Sequence, residues 1–260
     1  MRIIYYFATA LLHYLLRPYL HLRILKKKES PIRFREKLGI TNTQRPGGYL
    51  MWFHCASIGE LKSIFPIIDH YVKKNRILLT TSTLSSSEIF YKKYSNNKNI
   101  IHQFAPIDSP QIVKRFFLKW KPNIIFFTDS ELWPNQIFYA KNKLHIEDAK
   151  HMVKIGDSCI DIEEGKNAGC LLNIGITTGA QTEIQLMEAK PDYIVHSLTE
   201  MLEILEKYFL KKSNMFALAF LIFLPNFIDD SYKYYINNIQ FKLERWLSGL
   251  KRTLGKCVYC

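Results

Sequence analysis

Four short apolar runs in the first half of the chain alternate with longer segments of mixed character. The runs cover residues 49–53, 77–81, 100–104 and 124–127. They lack a regular polar alternation, which is typical of strands buried on both faces of a sheet. The segment after the first run instead places apolar residues every three or four positions, as in a helix with one buried face. The pattern predicts β-α-β-α units and a doubly wound parallel sheet.

Polar residues lie at the end of three of these runs or directly after it. Because the carboxyl ends of parallel strands meet at one edge of the sheet, we expect these residues to converge there and hold a phosphorylated or sugar-like ligand. Two simpler interpretations stay open: the Ser/Thr cluster could cap a helix, and Glu60 could complement the dipole of a first helical turn. The residues are His54, Ser57 and Glu60, then Thr80, Thr81, Ser82 and Thr83, then Asp129, Ser130 and Glu131.

The N-terminus is an uncharged apolar stretch of roughly 14 residues, which as a helix would reach about 21 Å, less than the hydrocarbon core of a bilayer. Basic residues between 23 and 37 follow it, which predicts a cytoplasmic chain close to anionic lipid headgroups. We interpret the stretch as a monotopic or marginally spanning anchor in preference to a plain core helix. A cleaved signal peptide is the alternative, although the small-residue triplet at 8–10 lies inside the apolar run.

Net charge and cysteine content add little to the prediction of function. The formal net charge of +13 favours a negatively charged partner, although a biased coding composition would produce the same excess. The five cysteines are too few and too scattered for a disulfide framework, which indicates a reducing compartment. Neither observation distinguishes an enzyme from a binding protein.

Specific motifs in the first 140 residues resemble a known family. They are WFHCASIGE at 52–60, LTTST at 79–83, PIDSP at 106–110 and SELWPN at 130–135, preceded by RFREKLG at 33–39. In this order and spacing they are similar to the N-terminal domain of the 3-deoxy-D-manno-octulosonic acid (Kdo) transferases, bacterial glycosyltransferases of lipopolysaccharide biosynthesis. Asp129 and Ser130 stand where that family often has Glu and Thr, a modest departure.

The resemblance implies the N-terminal, acceptor-binding half of a GT-B glycosyltransferase, whose two Rossmann-like domains face each other across a cleft. It implies that Glu60 is the general base and that Glu131 supports the transition state. Acceptor binding is expected at Ser57, Thr81, Ser82 and Thr83. The implied donor is CMP-Kdo, and the implied acceptor is a lipid A precursor at the cytoplasmic face of the inner membrane. No cofactor for this part and no nucleic-acid partner are expected.

After Ala140 the resemblance changes. Residues 155–169, 174–179 and 191–195 are similar to the last part of haloacid-dehalogenase (HAD) superfamily phosphatases, whose Gly-Asp-x-x-x-Asp motif matches Asp157 and Asp161. Two carboxylates at a strand end suit Mg²⁺. The nucleophile motif Asp-x-Asp of that superfamily does not precede them, so we expect a vestigial metal half-site. A surface loop capping the helix near Ile160 is the alternative.

The predicted organisation is therefore composite. It comprises a membrane-anchoring helix with a basic segment (1–40), a Kdo transferase-like domain (41–145), a partial HAD-like α/β fragment (150–208) and an irregular or helical tail (209–260). The end of the tail resembles a serine tRNA gene read in frame, and we interpret the tail as non-functional read-through. Because the donor-binding domain does not follow residue 140, we expect a truncated, catalytically impaired transferase. The alternatives are a membrane-associated remnant that binds anionic lipid without turnover and a HAD-type phosphatase fragment.

Overall fold

The computed structural model describes residues 2–128, 133–143, 152–210 and 217–221. Two N-terminal helices, α1 (Arg2–Leu12) and α2 (Leu16–Leu25), are joined by a 3₁₀ turn at His13–Leu15. A second 3₁₀ turn at Phe34–Leu38 ends at Gly39, which has a φ of 70°. This left-handed conformation favours glycine, and a Cβ there would lie 2.9 Å from the carbonyl oxygen of Ile112.

The remaining elements alternate between strands and helices. The strands are β1 (Leu50–Cys55), β2 (Arg76–Thr81), β3 (Ile100–Phe104), β4 (Ile124–Thr128), β5 (Met152–Gly156), β6 (Leu172–Ile176), β7 (Tyr193–Val195) and β8 (Ala217–Leu221). The helices are α3 (Ile58–Ser63), α4 (Phe65–Tyr71), α5 (Leu84–Tyr94), α6 (Pro110–Trp120), α7 (Pro134–Lys143), α8 (Cys159–Ala168), α9 (Glu183–Glu188) and α10 (Leu198–Leu205), and a π-helical turn follows at Glu206–Leu210.

All strands of the described residues lie in one sheet with the order β3-β2-β1-β4-β8-β5-β6-β7, and every neighbouring pair is parallel. The predicted parallel α/β architecture is confirmed. The first strand extends two residues beyond its apolar run, because His54 and Cys55 pair with Thr80 and Thr81. His54 therefore lies in β1, although the sequence pattern placed it in the following loop.

Alternating residues of the strands reach the two faces of the sheet. Met51 and Phe53 join one core cluster, which includes residues of α3, α4 and α10, whereas Trp52 joins a second cluster with aromatic residues of α6. Full burial of side chains of this size stabilises the fold by about 1.5–3 kcal/mol each. Both faces are covered, which explains why the strands show no polar alternation.

Strand β8 joins the two halves of the sheet. It pairs with β4 on one side, as in Phe126↔Ala219, and with β5 on the other, as in Val153↔Ala219. Residues 217–221 lie in the segment predicted to be an irregular or helical tail, and they form a strand. The other residues after 210 lie outside the described ranges.

No helix in the described part of the chain is long and apolar enough to cross a bilayer. The N-terminal helices nevertheless expose many large apolar side chains, whereas Leu20 is buried against Leu38 and Ile112. The most exposed are Ile3, Ile4, Phe7, Leu11, Tyr14, Leu15 and Leu25, each with at least 60% of its surface accessible.

Candidate functional site

Glu60 lies at the carboxyl edge of the sheet, in the first turn of α3, and is 7% exposed. Ser57 is the N-cap of this helix, and its hydroxyl accepts a hydrogen bond from the Glu60 backbone N–H at 3.3 Å. One carboxylate oxygen, Oε2, accepts hydrogen bonds from the Ala56 backbone N–H at 2.7 Å and from the Thr128 hydroxyl at 3.2 Å. The carboxylate is thus fixed between the ends of β1 and β4 by uncharged donors.

The Thr128 hydroxyl orients this arrangement because it also contacts the backbone of β1. Its distance to the carbonyl oxygen of His54 is 2.7 Å, and Thr128 is 2% exposed. Sequence reasoning missed this residue. Its only local signal was a hydroxyl at the end of an apolar run, and its two partners lie more than sixty residues away in the chain.

The Ser/Thr cluster after β2 has mainly structural partners. Thr83 is the N-cap of α5 and accepts a hydrogen bond from the Ser86 backbone N–H at 3.2 Å, as the capping interpretation predicts. Thr81 is fully buried, with its hydroxyl 2.9 Å from Nε2 of His102. Ser82 contributes its backbone carbonyl, which accepts a hydrogen bond from Lys37 Nζ at 2.9 Å. A role of these residues in acceptor binding stays a prediction.

A buried polar network lies on β1 and β2 below this edge. The Thr80 hydroxyl is 2.9 Å from Nε1 of Trp52, which donates to it, and 3.0 Å from Nδ1 of His54. Burial lowers the pKa of His54 to about 4. Burial, with a smaller contribution from the Arg33 guanidinium, lowers the pKa of His102 to about 3. Both imidazoles are therefore neutral at pH 7.

The second candidate site lies at the carboxyl edge of β5. Asp157 accepts a hydrogen bond from the Ala180 backbone N–H at 2.6 Å, and burial raises the pKa of its carboxyl group. Asp161 accepts a hydrogen bond from the Ser158 hydroxyl at 2.7 Å. Lys154, on β5, places its ammonium 3.3 Å from Asp161 Oδ1 and 2.9 Å from Glu164 Oε2.

These residues fit a bound Mg²⁺ poorly. A divalent cation needs several oxygen ligands, and the Lys154 ammonium already supplies positive charge to Asp161. No cluster of three or more His, Cys, Asp or Glu side chains with metal-binding geometry occurs within the described ranges. Sequence reasoning identified the two aspartates but not Lys154, because the lysine lies inside an otherwise apolar strand.

Glu131, the second predicted carboxylate, lies outside the described residues, as do Asp129 and Ser130. The structure describes the elements on either side. Strand β4 ends at Thr128, and α7 begins at Pro134. In the chain, Glu131 therefore lies between β4, whose Thr128 contacts Glu60, and α7, which packs against α6.

Comparison with known proteins agrees with the motifs around Glu60. Residues 32–146 match the family model of the 3-deoxy-D-manno-octulosonic acid transferases. This region is Kdo transferase-like. A probable mitochondrial Kdo transferase of Arabidopsis thaliana is 40% identical over 140 residues, which cover 51% of this chain and 31% of that protein. A Kdo transferase of Rickettsia bellii is 33% identical over 146 residues, which cover 55% of this chain and 34% of that protein.

The Kdo transferase-like region is thus only part of what these relatives contain, since the chain spans about a third of their length. Residues 134–201 match a different model, described as HAD-hydrolase-like, which agrees with the similarity seen around Asp157 and Asp161. A HAD-like hydrolase from Streptococcus pneumoniae superposes with a TM-score of 0.29 at 18% identity, covering 55% of this chain and 58% of that one.

Proposed function

We propose that this protein is a Kdo transferase-like glycosyltransferase that transfers Kdo from CMP-Kdo to a lipid A precursor, with Glu60 as the general base. The observation that carries the proposal is the placement of Glu60. It lies in the matched WFHCASIGE motif, at the carboxyl edge of a parallel sheet, where open α/β folds bind ligands. The similarity of residues 32–146 supports glycosyl transfer as the reaction class.

The chemistry requires a carboxylate that is held in place and ionised. In the proposed reaction the Glu60 carboxylate removes the proton of an acceptor hydroxyl, and the resulting oxygen nucleophile bonds to the anomeric carbon of Kdo. The bond between that carbon and the CMP phosphate oxygen breaks, and CMP leaves with the bonding electrons. The hydrogen bonds that Oε2 accepts from uncharged donors, together with the nearby helix N-terminus, stabilise the anionic form.

Other residues have proposed roles that rest on the family resemblance. Glu131 would stabilise the transition state, and Ser57, Thr81, Ser82 and Thr83 would border the acceptor site. The transfer is proposed to need no cofactor. Mg²⁺ is not assigned a role at Asp157 and Asp161, because the Lys154 ammonium already contacts the Asp161 carboxylate.

We further propose that transfer by this chain is impaired. The GT-B architecture implied by the resemblance places the donor in a second Rossmann-like domain across a cleft. All described strands here instead form one sheet, and the HAD-like strands extend the sheet of the Kdo transferase-like region. Holding donor and acceptor in one geometry supplies much of the rate of a bimolecular transfer. Because the described HAD-like strands lie in the same sheet and not in a domain facing it, we expect slow turnover and retained acceptor binding.

The proposed location is the cytoplasmic face of the inner membrane. Ile4, Phe7 and Leu11 of α1 are each at least 66% exposed, and the exposed side chains of Lys26, Lys27 and Lys28 follow α2. Apolar side chains beside basic residues are typical of helices that lie in the membrane interface and contact anionic headgroups. The helices would lie on the membrane surface and bring the acceptor lipid close to the sheet edge.

The test compares Glu60→Gln with a matched control, Glu88→Gln, which changes an exposed glutamate on α5. Purified proteins would be incubated with CMP-Kdo and lipid A precursor vesicles, with and without EDTA, and the product measured by mass spectrometry. Removing a general base lowers the rate by about 10²–10⁴-fold. We expect weak transfer by the wild type, loss of transfer in Glu60→Gln, unchanged transfer in Glu88→Gln and no effect of EDTA.

Vesicle flotation separates transfer from binding. Acceptor binding by both variants together with transfer by the wild type supports the proposal. Binding without transfer by the wild type identifies a lipid-binding remnant and contradicts the proposed reaction. Transfer that survives Glu60→Gln contradicts the role of Glu60. A Mg²⁺-dependent release of phosphate that Asp157→Asn abolishes would instead identify a HAD-type hydrolase.

A further inference from the structure

Asp108 connects three elements at the carboxyl edge of the sheet. It lies between β3 and α6 and is 3% exposed. Its carboxylate accepts hydrogen bonds from the backbone N–H groups of Asn135 at 3.0 Å and Gln136 at 2.8 Å, both in the first turn of α7. It also accepts one from the Tyr5 hydroxyl of α1 at 2.9 Å. One buried carboxylate thus joins the N-terminal helix to the start of α7.

Further contacts reinforce this junction. The Asn135 side-chain amide donates to the Asp108 backbone carbonyl at 2.8 Å and to the Thr9 hydroxyl at 3.0 Å. His13 Nδ1 lies 3.3 Å from the Ser109 hydroxyl. Tyr5, Thr9 and His13 are spaced four residues apart, so they form one stripe along the N-terminal helical segment. This polar stripe contacts the domain, while Ile4, Phe7 and Leu11 remain exposed.

The hydrogen bonds to Asp108 stabilise the charged form of a buried carboxylate. Burial raises the pKa of Asp108, and the hydrogen bonds from Asn135, Tyr5 and Gln136 act in the opposite direction. Burial and the neighbouring carboxylate raise the pKa of Tyr5, which keeps its hydroxyl protonated as a donor. A buried carboxylate that loses one of these donors is poorly compensated, so the start of α7 is sensitive to the position of α1.

We propose that Asp108 is a positioning residue that couples the attachment of α1 to a membrane with the placement of the start of α7. Helix α7 begins three residues after Glu131, so its first turn sets one end of the segment that carries the second proposed carboxylate. The inference rests on the proposed membrane location. It adds that membrane contact through the exposed face of α1 stabilises the active-site edge through the polar stripe on the other face.

Hydrogen exchange measured by mass spectrometry tests the coupling. The full chain would be compared free and bound to vesicles of phosphatidylglycerol and phosphatidylethanolamine, with the amides of residues 135–140 as the readout. Membrane binding is expected to slow their exchange about tenfold in the wild type, because an ordered α1 keeps its hydrogen bond to Asp108. The double variant Tyr5→Phe/Thr9→Ala removes the stripe's hydroxyls but leaves the exposed apolar residues. It should bind vesicles normally and lose this slowing.

The matched control is Tyr14→Phe, which removes a hydroxyl from a residue that is 77% exposed on the same helical segment and should behave like the wild type. Asp108→Asn keeps one acceptor oxygen, and it should speed exchange at the amides of residues 135–140 with and without vesicles. Slowing that persists in the double variant overturns the proposal, as does a wild type that shows no vesicle-dependent slowing. Exchange requires no turnover, so a failure of Kdo transfer is distinguishable from a failure of the coupling.

Discussion

Glu60 and Asp161 occupy equivalent positions in two different parts of the sheet. Each is the third residue after a serine N-cap, and in each case the serine hydroxyl accepts the backbone N–H of the acidic residue at 3.3 Å. Each helix follows a parallel strand directly. The partners of the carboxylates differ: Glu60 Oε2 accepts from a backbone N–H and a threonine hydroxyl, whereas Asp161 has Lys154 at 3.3 Å.

The difference shows that the local motif does not decide what a carboxylate can do. A serine followed three residues later by an acid starts a helix at both strand ends. Uncharged donors orient a carboxylate and leave it able to take a proton from a substrate. An ammonium at 3.3 Å compensates its charge, as in a structural ion pair. The two sites therefore separate into a candidate base and a candidate structural contact.

The largest expected effect concerns acid sensitivity, which belongs to the Kdo transferase-like region. Folded His54 and His102 have pKa values of about 4 and about 3, so below pH 6.5 the unfolded state binds protons that the folded state does not. The stability is present above pH 6.5 and is lost as the pH falls toward the folded pKa values. Between pH 7 and pH 5 each histidine should lower the free energy of unfolding by about 2 kcal/mol.

Urea denaturation followed by circular dichroism at pH 7 and pH 5 measures this loss. Replacing His54 by Gln should reduce the pH dependence. Replacing His196, an exposed histidine of the HAD-like region, is the matched control. Equal wild-type midpoints at the two pH values would show that these histidines do not couple protonation to folding.

Gly156→Ala should have the next largest effect, and it acts on the HAD-like region. A Cβ at Gly156 would overlap the Cβ of Asp161, so the helix or the side chain must move. Overpacking of this kind destabilises by about 3 kcal/mol. Gly47→Ala is the control, because a Cβ there meets nothing within 4 Å and should change stability by less than about 0.5 kcal/mol. Similar urea midpoints for the two variants would contradict the observed packing.

Lys154→Met tests whether the ammonium or a metal ion neutralises the second site. Lys154 is 9% exposed, and loss of its charged hydrogen bonds should destabilise the protein by about 2 kcal/mol. Lys166→Met, at an exposed position of α8, should have a smaller effect. Millimolar Mg²⁺ should leave the wild-type melting temperature unchanged. A clear increase in that temperature with Mg²⁺ would show that Asp157 and Asp161 bind the metal despite Lys154.

Thr128→Val should have the smallest effect on stability, about 1 kcal/mol, because it removes one buried hydroxyl and keeps the side-chain shape. The same change removes one donor to Glu60 Oε2, so the proposed Kdo transfer should fall by several-fold while the proposed acceptor binding stays constant. Thr199→Val, at an exposed position of α10, is the matched control. Unchanged transfer in Thr128→Val would show that the threonine does not orient Glu60.

The apolar pattern was sufficient to predict the bounds of the first four strands to within two residues. A strand that is buried on both faces consists of consecutive apolar residues, so it is visible in the sequence. The cap at Thr83 was also predictable from the sequence, since a cap depends on residues three positions apart. Ser57 was assigned to acceptor binding, and its role as the N-cap of α3 was not predicted. Contacts between residues of different strands could not be predicted from the sequence. The Trp52–Thr80–His54 network and the contact between Thr128 and Glu60 depend on strand order, which the local pattern does not specify.

Strand β8 was missed for a related reason. Its apolar sequence is compatible with several structures, and only the available edges of β4 and β5 select a strand. Lys154 was missed because its role depends on its ion pairs with Asp161 and Glu164 of the adjacent helix, which the sequence of the strand does not show. In both cases the deciding partner belongs to another element.

The position of β8 also determines when the sheet can be completed during synthesis. Strand β4 leaves the ribosome roughly ninety residues before its neighbour, so at about 5–20 residues per second its edge stays unpaired for roughly 5–20 s. An unpaired edge is a template for strand addition by another chain. The nascent polypeptide therefore passes through a period in which the edge of β4 is open to pairing with another chain.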